Sequence, residues 1–357
     1  FGDADAGANP VTATFSVGAG ALNAAAGAGI TIGGTSSART LRGTIAALNT
    51  YLQGSNLSYQ PASNANGNVA LSISVNDEGN TGTGGPRITN GGSTFAIAAV
   101  NDSPVFSAPG TIAALEDTMV QFNGIGVSDV DAGAANLSVT LAVAQGTLMA
   151  PAAAGVGISG SPGPSVVLTG TATALSNYLG SLNMAYTPVA NFSGNVTLNL
   201  AANDGGNSGS GGAGVANASS TLQVAAVNDA PTLAAPTVIP IGLAGSGPIS
   251  GIVAGDIDVG GGAMTQTLSV PEGTLAASSQ GGVTVTGSGT QNLVLTGTLS
   301  ALNGFHAPTP RVTYTQAGSP SLNVPLSIVV NDNGGTGSGG ARTASAGSML
   351  RTGTLFM

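Results

Sequence analysis

Short segments in which large apolar residues alternate with small polar residues recur along the whole chain. Residues 69–75 read VALSISV, residues 196–200 read VTLNL and residues 324–330 read VPLSIVV. Successive side chains of a strand point to opposite faces, so this alternation predicts strands that are buried on one face. Clusters of Gly, Asn, Ser and Pro separate the segments and predict turns. The other alternating segments are 11–17, 94–100, 137–143, 221–227 and 265–270.

The same series of segments occurs three times. Tyr59, Tyr186 and Tyr314 occupy equivalent positions, 127 and 128 residues apart. Solenoid repeats have only about 20–50 residues, whereas this period suits a complete small domain. We therefore predict three domains, with the first strand missing from the first of them. They are named repeat 1 (1–103), repeat 2 (104–230) and repeat 3 (231–357).

One segment in each repeat has helical instead of strand periodicity. Leu48, Tyr51 and Leu52 have the spacing i, i+3, i+4, and so do Leu175, Tyr178 and Leu179. This spacing predicts one or two helical turns that lie on the sheets. About seven strands in each repeat favour an all-β fold of three tandem immunoglobulin-like or cadherin-like antiparallel β-sandwiches. The linkers AAVNDSP (98–104) and AAVNDAP (225–231) are short, which favours a rod.

Composition narrows the function classes. The chain has 6 Arg, no Lys and 15 acidic residues, a net charge of −9, so nucleic acid is an unsuitable partner. With 42% hydrophobic and 6% charged residues it is not a disordered chain, and its 58 Gly exclude a helical bundle. No unbroken run of about 20 apolar residues predicts membrane insertion. The absence of Cys means that no disulfide stabilises the repeats.

Most of the carboxylates belong to motifs that recur with the repeats. The motifs are a D-x-D near the start of each repeat, an N-D in a Gly-rich loop, an N-D in each linker, and the pair Glu116 and Asp117 after the first linker. The D-x-D residues are Asp3, Asp5, Asp129, Asp131, Asp256 and Asp258. The N-D acids are Asp77, Asp204 and Asp332 in the loops and Asp102 and Asp229 in the linkers.

Clustered carboxylates repel one another unless a cation lies between them. Because the chain has no Lys and its Arg residues do not follow the motifs, we expect a metal ion as the counter-charge. Oxygen ligands without Cys, and with a single His, favour Ca²⁺ over Zn²⁺ or Cu²⁺. The alternative is that Asp and Asn only form turns and cap strands, which is the simpler interpretation of an isolated N-D in a loop.

The linker VNDAP, the D-x-D-A-G motif, the acid after the linker and the stretch GNVTLNLAANDGGN together resemble cadherin-like and VCBS-type tandem repeats of large bacterial surface proteins. The resemblance covers nearly the whole chain. It implies Ca²⁺ at the joints between domains, held by an acid of the first strand, a D-x-D and a linker N-D. At the first joint it implies Asp102, Glu116, Asp129 and Asp131 as ligands. At the second it implies Asp229, Asp256 and Asp258. This sequence departs from the pattern there, because Leu243 and Ala244 replace Glu116 and Asp117, so we expect the second joint to bind Ca²⁺ more weakly or in a different way.

Nothing in the sequence indicates an enzyme. The single histidine, His306, has no counterpart in the other repeats and is expected to be a turn residue. No G-x-S-x-G motif accompanies it, and the Gly-rich loops lack the G-K-[ST] that would bind phosphate.

The sequence thus predicts a non-enzymatic, extracellular, calcium-stiffened rod or surface-fibre subunit. Its expected partners are further copies or repeats of the same protein and a cell or host surface. The alternative is a ligand- or carbohydrate-binding adhesin module. The chain is either a fragment of a longer repetitive protein or a subunit that assembles head to tail, with the segment 348–357 of one copy completing repeat 1 of the next.

Overall fold

The computed structural model of the chain describes residues 1–79, 83–206, 208–242, 244–307, 309–318 and 322–352. Within these residues every sheet draws its strands from a single repeat. The buried apolar side chains likewise form three separate cores, one in each repeat. The fold class predicted from the alternating segments is confirmed: the chain is all-β, with tandem antiparallel sandwiches.

The strands and helices are numbered in chain order. Repeat 1 contains β1 Pro10–Val17, β2 Ala21–Ala24, β3 Thr31–Gly34, β4 Ala38–Thr44, α1 Ile45–Gln53, β5 Leu57–Gln60, β6 Gly67–Asn76 and β7 Ile88–Ile97. Repeat 2 contains β8 Val105–Ser107, β9 Thr111–Leu115, β10 Val120–Phe122, β11 Gly126–Ser128, β12 Asn136–Val143, β13 Thr147–Met149, β14 Gly157–Ser159, β15 Ser165–Thr171, α2 Ala172–Gly180, β16 Met184–Thr187, β17 Gly194–Asn203 and β18 Val215–Ala225. Repeat 3 contains β19 Thr232–Ala234, β20 Val238–Ile241, β21 Ser246–Ile249, β22 Val253–Gly255, β23 Ala263–Ser269, β24 Thr274–Ala276, β25 Thr284–Thr286, β26 Asn292–Thr298, α3 Leu299–Phe305, β27 Val312–Thr315, β28 Asn323–Asn331 and β29 Thr343–Thr352.

Repeats 2 and 3 share one topology. Each has a six-stranded sheet, in the order β14-β15-β12-β17-β18-β9 in repeat 2 and β25-β26-β23-β28-β29-β20 in repeat 3. A three-stranded sheet, β10-β16-β13 or β21-β27-β24, and a strand pair complete each repeat. The alternation in β12 puts Leu137, Val139 and Leu141 into the core, each at 1% exposure or less. The period-2 pattern of the sequence therefore sets the buried face of the sheet.

The edge of each six-stranded sheet is a parallel pair formed by the two ends of the repeat. In repeat 2, β9 runs parallel to β18, with Thr111 opposite Thr221 and Leu115 opposite Ala225. In repeat 3, β20 runs parallel to β29 in the same register. Because the two strands run parallel, the residue after β9 lies at the same end of repeat 2 as the linker that leaves β18. This geometry decides which acids meet at each joint.

Repeat 1 has a smaller set of strands than the sequence predicted. Its main sheet has the order β3-β4-β1-β6-β7, and among its described residues nothing corresponds to β8, β9, β10 or β11 of repeat 2. The expectation of one missing strand was therefore too low. The core is less well covered as a result: Val69, Leu71 and Ile73 are only partly buried, whereas their counterparts in β17 are buried.

The predicted helical segments are confirmed as one short helix in each repeat. Each helix begins directly after a strand, and a threonine caps its N-terminus. The threonine hydroxyl accepts a hydrogen bond from the N–H three residues further along the chain, at 3.2 to 3.3 Å for Thr44, Thr171 and Thr298. Such an N-cap satisfies one of the free N–H groups of the first turn. Among the described residues no helix has the length and hydrophobicity needed to cross a membrane.

The tyrosines that mark the period have the same structural role in each repeat. Tyr186 is fully buried, and its hydroxyl donates to the carbonyl of Gln145 at 3.2 Å. The next residue, Gly146, has φ +82°, and a Cβ there would lie 2.6 Å from the Tyr186 ring. The position therefore requires glycine on two grounds, a left-handed backbone and close contact with an aromatic ring. The corresponding pairs are Tyr59 with Gly20 and Tyr314 with Gly273.

Candidate functional site

Backbone hydrogen bonds fasten each linker to the Gly-rich loop of the repeat that follows it. At the first joint, the N–H of Asn101 donates to Ser210 O at 2.8 Å, and the N–H of Ser210 donates to Ala99 O at 2.9 Å. At the second joint, the N–H of Asn228 donates to Ser338 O at 2.7 Å, and the N–H of Ser338 donates to Ala226 O at 3.0 Å. Each linker thus pairs with the Gly-rich loop through a short parallel β-bridge.

The loop acids hold this arrangement together. In repeat 2, Asp204 Oδ1 accepts from the N–H groups of Gly206 and Gly214, both at 2.8 Å, and its Oδ2 accepts from the Asn101 amide at 2.7 Å. Burial alone would raise the Asp204 pKa, but these donors hold it below its ordinary value. The corresponding acids are Asp332, bonded to Gly334, Arg342 and Asn228, and Asp77, bonded to Gly79 and Arg87. These contacts are what the alternative interpretation of the sequence expected, namely that an N-D in a loop only forms a turn.

The first aspartate of each D-x-D forms a turn with one oxygen only. Asp129 Oδ1 accepts from the N–H groups of Asp131 and Ala132, at 3.1 and 2.9 Å. Its Oδ2 is buried and has no hydrogen-bond partner. Asp256 has the same arrangement in repeat 3. Its Oδ1 accepts from the N–H groups of Asp258 and Val259, and its buried Oδ2 has no hydrogen-bond partner.

The second aspartate of each D-x-D contacts the linker. Asp131 Oδ2 accepts from the N–H of Asp102 at 3.0 Å, and Asp258 Oδ2 accepts from the N–H of Asp229 at 2.6 Å. The other oxygen, Oδ1, of both Asp131 and Asp258 is buried without a partner. An unsatisfied buried carboxylate oxygen is costly, and both joints contain such oxygens at equivalent positions.

Of the six buried side-chain atoms without a partner among the described residues, five lie at the two joints. They are one oxygen each of Asp129, Asp131, Asp256 and Asp258, together with Asn228 Oδ1; the sixth belongs to Glu272. All five are oxygens that accept a hydrogen bond or bind a hard cation. Both joints therefore present oxygen ligands aimed into the protein and away from water.

Electrostatics favour a cation at these positions. Burial and the adjacent Asp131 raise the pKa of Asp129, and burial and the adjacent Asp258 raise the pKa of Asp256. By contrast, Glu78 lies outside the predicted set and has its own cation, because the Arg42 guanidinium lies 2.7 Å away and lowers the Glu78 pKa to about 2. Arg342 is closer to a motif than the sequence suggested, since its charge helps to lower the pKa of Asp332.

Two acids and one amide from the far end of repeat 2 also lie at the second joint. Glu116 is buried, and its Oε1 accepts from the N–H of Val227 at 2.6 Å. Asp117 Oδ1 accepts from the N–H of Asn191 at 2.9 Å. In the orientation that satisfies its contacts, the side-chain nitrogen of Asn191 donates to Asp229 Oδ2 at 3.0 Å and to Asp117 Oδ2 at 3.3 Å.

The sequence-based assignment of Glu116 to the first joint is therefore wrong. Glu116 follows β9, which runs parallel to β18, so it lies beside Val227 at the exit of repeat 2. Eleven residues separate Pro104 from Glu116, enough to span at most about 40 Å. The acids that the sequence analysis gave to the first joint thus lie at the second.

The remaining predicted positions fall at the outer ends of the chain. Asp3, Asp5 and Asp77 line one hollow at the N-terminal end of repeat 1. There Asp3 forms the same turn as Asp129, and its proximity to Asp5 lowers the Asp3 pKa and raises the Asp5 pKa. Leu243, predicted to replace Glu116 in repeat 3, lies outside the described residues, whereas Ala244 is exposed.

A calcium ion fits the donor set at the joints, with one restriction. Within the described residues, no three His, Cys, Asp or Glu side chains converge closely enough to hold a metal ion on their own. Each joint instead brings together a pair of carboxylates with unpartnered oxygens and a linker rich in amide and backbone oxygens. Calcium takes six to eight oxygens and accepts carbonyl and amide ligands, so it is the cation that such a mixed set suits.

The raised pKa values predict an unusual response to acid in cation-free protein. An acid whose pKa is raised by folding stabilises the fold when protonated and loses that contribution as the pH rises through the folded-state pKa. We therefore expect Asp129→Asn with Asp256→Asn, measured by thermal melting in chelator, to have a higher Tm than the unsubstituted protein at pH 7. The gap should close as the pH falls towards 4.

Asparagine keeps the oxygen that forms the turn, so this comparison isolates charge. Adding Ca²⁺ at pH 7 should reverse the order, because the unsubstituted carboxylates then have a counter-ion. An equal Tm for the two proteins across the whole pH range would show that the D-x-D carboxylates do not repel one another.

His306 is the residue that sequence analysis misplaced most clearly. It was expected to be a turn residue, but only 3% of it is exposed, and its Nε2 lies 2.8 Å from Gln266 Oε1. Gln266 itself is 2% exposed. The available signal was the position of His306, one residue after Phe305, where repeat 2 has the buried Leu179 one residue after Tyr178.

No family model matches the chain, and no curated protein matches it. Among solved structures, it is similar to protocadherin gamma B2 extracellular cadherin domains 1–5, at 12% identity over 97% of this chain and 53% of that chain, with a TM-score of 0.43. It is also similar to human CDH23 EC21–23, at 14% identity over 95% of this chain and 88% of that chain, with a TM-score of 0.41. Mouse cadherin-23 EC22–24 gives 14% identity over 95% and 86% and a TM-score of 0.37.

The chain spans about half (53%) of the protocadherin structure. Because these identities and TM-scores are low, the fold class rests on the strand order of the chain itself.

Proposed function

We propose that this chain is a non-enzymatic, extracellular structural or adhesive protein, a calcium-stiffened rod of three sandwich domains with the bounds 1–103, 104–230 and 231–357. The observation that supports it is the set of five buried, unpartnered oxygens at the two joints. A cation there would stabilise the joint by linking the linker to the D-x-D of the next repeat. As the resemblance to cadherin-like and VCBS-type repeats implies, its setting would be a bacterial surface.

The residues that would hold the ion differ between the joints. At the first joint they are Asp102, Asp129 and Asp131, with Asn101 and Asp204 fixing the loop. At the second joint they are Asp229, Asp256 and Asp258, joined by Glu116 and Asp117. There Asn191 orients Asp117 and Asp229, and Asn228 and Asp332 fix the loop. When bound, the ion would supply the positive charge that the chain lacks at these sites.

Small-angle X-ray scattering with Ca²⁺ and with excess chelator tests this proposal. Bound cations should fix the angle between neighbouring repeats, so we expect a longer maximum dimension and a narrower distribution of shapes with Ca²⁺. The variant Asp131→Asn with Asp258→Asn keeps the linker hydrogen bonds possible but removes two charges. It should scatter like the chelated protein in both conditions. Identical scattering of the unsubstituted chain with and without Ca²⁺ would rule out calcium stiffening.

A second candidate function, assembly with further copies by strand addition, is supported by the edge of repeat 1. In repeat 2, the N–H of Thr221 points outward from β18 and donates to Gly110 O at 3.0 Å. Its counterpart in repeat 1 is Thr94 in β7, which pairs with β6 and with no other described strand. An edge with free backbone groups is a template for an added strand.

The donor segment predicted from the sequence must be shortened. Residues 348–352 belong to β29, which pairs with both β28 and β20, and Leu350 is fully buried in the core of repeat 3. Releasing them would unfold the repeat that is meant to donate. Residues 353–357, the rest of the predicted donor segment, lie outside the described residues.

The substitution Ala96→Pro should abolish concentration-dependent association in sedimentation velocity. Alternation along β7 puts the N–H of Ala96 on the same outward side as that of Thr94, so proline removes a hydrogen-bond donor from the open edge and spares the pairing with β6. Asn199→Pro, in the interior of β17, is a control that should unfold repeat 2. Association that survives Ala96→Pro would exclude strand addition at this edge.

A further inference from the structure

The core of repeat 3 contains one polar pair that the other repeats lack. Gln266 in β23 and His306 after α3 are 2% and 3% exposed, and their side chains meet at 2.8 Å between Oε1 and Nε2. The strand register places Gln266 at the position of Val139 in repeat 2, since both face the same two neighbouring strands. His306 takes the position of Leu179. Two buried apolar residues are thus replaced by a mutually bonded polar pair.

The neutral imidazole of His306 satisfies only one of its two polar contacts. With the proton on Nε2, the ring donates to Gln266 Oε1; Nδ1 is then an acceptor and makes no hydrogen bond with the Ile249 carbonyl, which lies 3.5 Å away. Burial lowers the His306 pKa below its ordinary value and outweighs the opposite effect of the Ile249 carbonyl. An imidazolium at this position would have no counter-ion in the core.

The elements that pack around His306 supply no counter-ion for an imidazolium. β21, β23 and α3 contain no acidic or basic residue. Asp256 and Asp258 follow β22 and face the joint, where they bond to the linker and their own turn. Arg311 follows α3 and stacks over the Phe305 ring at 5.7 Å, and its own positive charge disfavours a second one. None of these groups contributes to the shift at His306.

We propose that the Gln266–His306 pair makes repeat 3 selectively acid-labile, so that it loses stability at a mildly acidic pH at which repeat 2 keeps its own. The unfolded histidine binds a proton near pH 6.5, whereas the folded one resists it. The contribution of His306 to the stability of repeat 3 is therefore fully present above pH 6.5. It declines as the pH falls, until the histidine of the folded protein is protonated as well. Repeat 2 has Val139 and Leu179 at these positions, and both are fully buried.

The sole histidine of the chain makes the protonation step directly measurable. In the full-length protein at fixed Ca²⁺ concentration, the imidazole proton resonances in NMR report the His306 pKa without interference. We expect a midpoint below 6.5 in the folded protein. A midpoint at or above 6.5 would overturn the proposal, because protonation would then stabilise repeat 3.

Hydrogen exchange of the amides of β23 and β28, against those of β12 and β17, measures the consequence in each repeat. Between pH 7.5 and pH 5, after correction for intrinsic exchange, we expect protection to fall in repeat 3 and to hold in repeat 2. The double variant Gln266→Val with His306→Leu restores the apolar pair and should remove this difference. The single variant His306→Leu should be less stable at pH 7.5, because it leaves Gln266 buried without its partner.

The reciprocal transfer completes the test. Val139→Gln with Leu179→His should give repeat 2 a pH-dependent transition, with a Tm lower by roughly 3–6 °C at pH 5 than at pH 7.5. If repeat 2 fails to fold in this variant, the comparison of the unsubstituted chain with Gln266→Val and His306→Leu still decides the matter. An equal pH dependence of those two proteins would overturn the proposal.

Discussion

Saturating Ca²⁺ should raise the Tm of the full chain, and chelator should lower it. Each buried carboxylate pair lacks a counter-ion, and a ligand that binds the folded state alone stabilises it by RT ln(1 + [L]/Kd), about 2.7 kcal/mol at 100 times Kd. The variant Asp256→Asn with Asp258→Asn should lose most of the calcium-dependent shift of repeats 2 and 3. Differential scanning calorimetry with millimolar Ca²⁺ and with excess chelator measures both effects.

The matched control uses the same motif in repeat 1. Asp5 is exposed, and neither Asp3 nor Asp5 has a buried unpartnered oxygen. Asp3→Asn with Asp5→Asn should therefore leave the calcium-dependent shift nearly unchanged. A melt that does not respond to calcium, or one that responds equally in both variants, would contradict a role for the joints.

The second large effect concerns the acids after β9. Glu116→Gln with Asp117→Asn should weaken calcium binding at the second joint and leave the first unchanged. Glutamine keeps an oxygen that accepts from Val227, so the backbone contact survives while the charge is lost. Fewer charged ligands mean lower affinity, and isothermal titration calorimetry measures the change.

A double-mutant cycle assigns these acids to their joint. Residues that share a site are coupled energetically, whereas distant sites are additive within about 0.5 kcal/mol. We expect coupling between Glu116→Gln and Asp258→Asn and additivity between Glu116→Gln and Asp131→Asn. The reverse pattern would return Glu116 to the first joint and refute the parallel β9–β18 geometry as the determinant of the site.

Periodicity in the sequence predicted the elements well because it depends on local geometry. The alternation in VTLNL and VPLSIVV specifies both the strand and its buried face, and Leu48 with Tyr51 specifies the helix. Recurrence of the D-x-D motifs likewise predicted residues that come to lie against a linker.

The failures have a different cause, since each depended on contacts between segments distant in sequence. Glu116 is only 14 residues from Asp102, yet a parallel strand carries it to the other end of the repeat. His306 looked isolated because its partner, Gln266, is 40 residues away. Residues 348–352 were predicted to be available to another copy, but they pair with β20 of their own repeat.

The parallel edge pair also determines how a repeat bears mechanical tension. In repeat 2 the first long strand, β9, and the last strand, β18, are hydrogen-bonded side by side and run in the same direction. Pulling the two ends of the repeat apart then loads these bonds together in shear, instead of opening them one after another. Repeat 3 has the same arrangement through β20 and β29. Both repeats should therefore resist a stretching force that is applied along the chain.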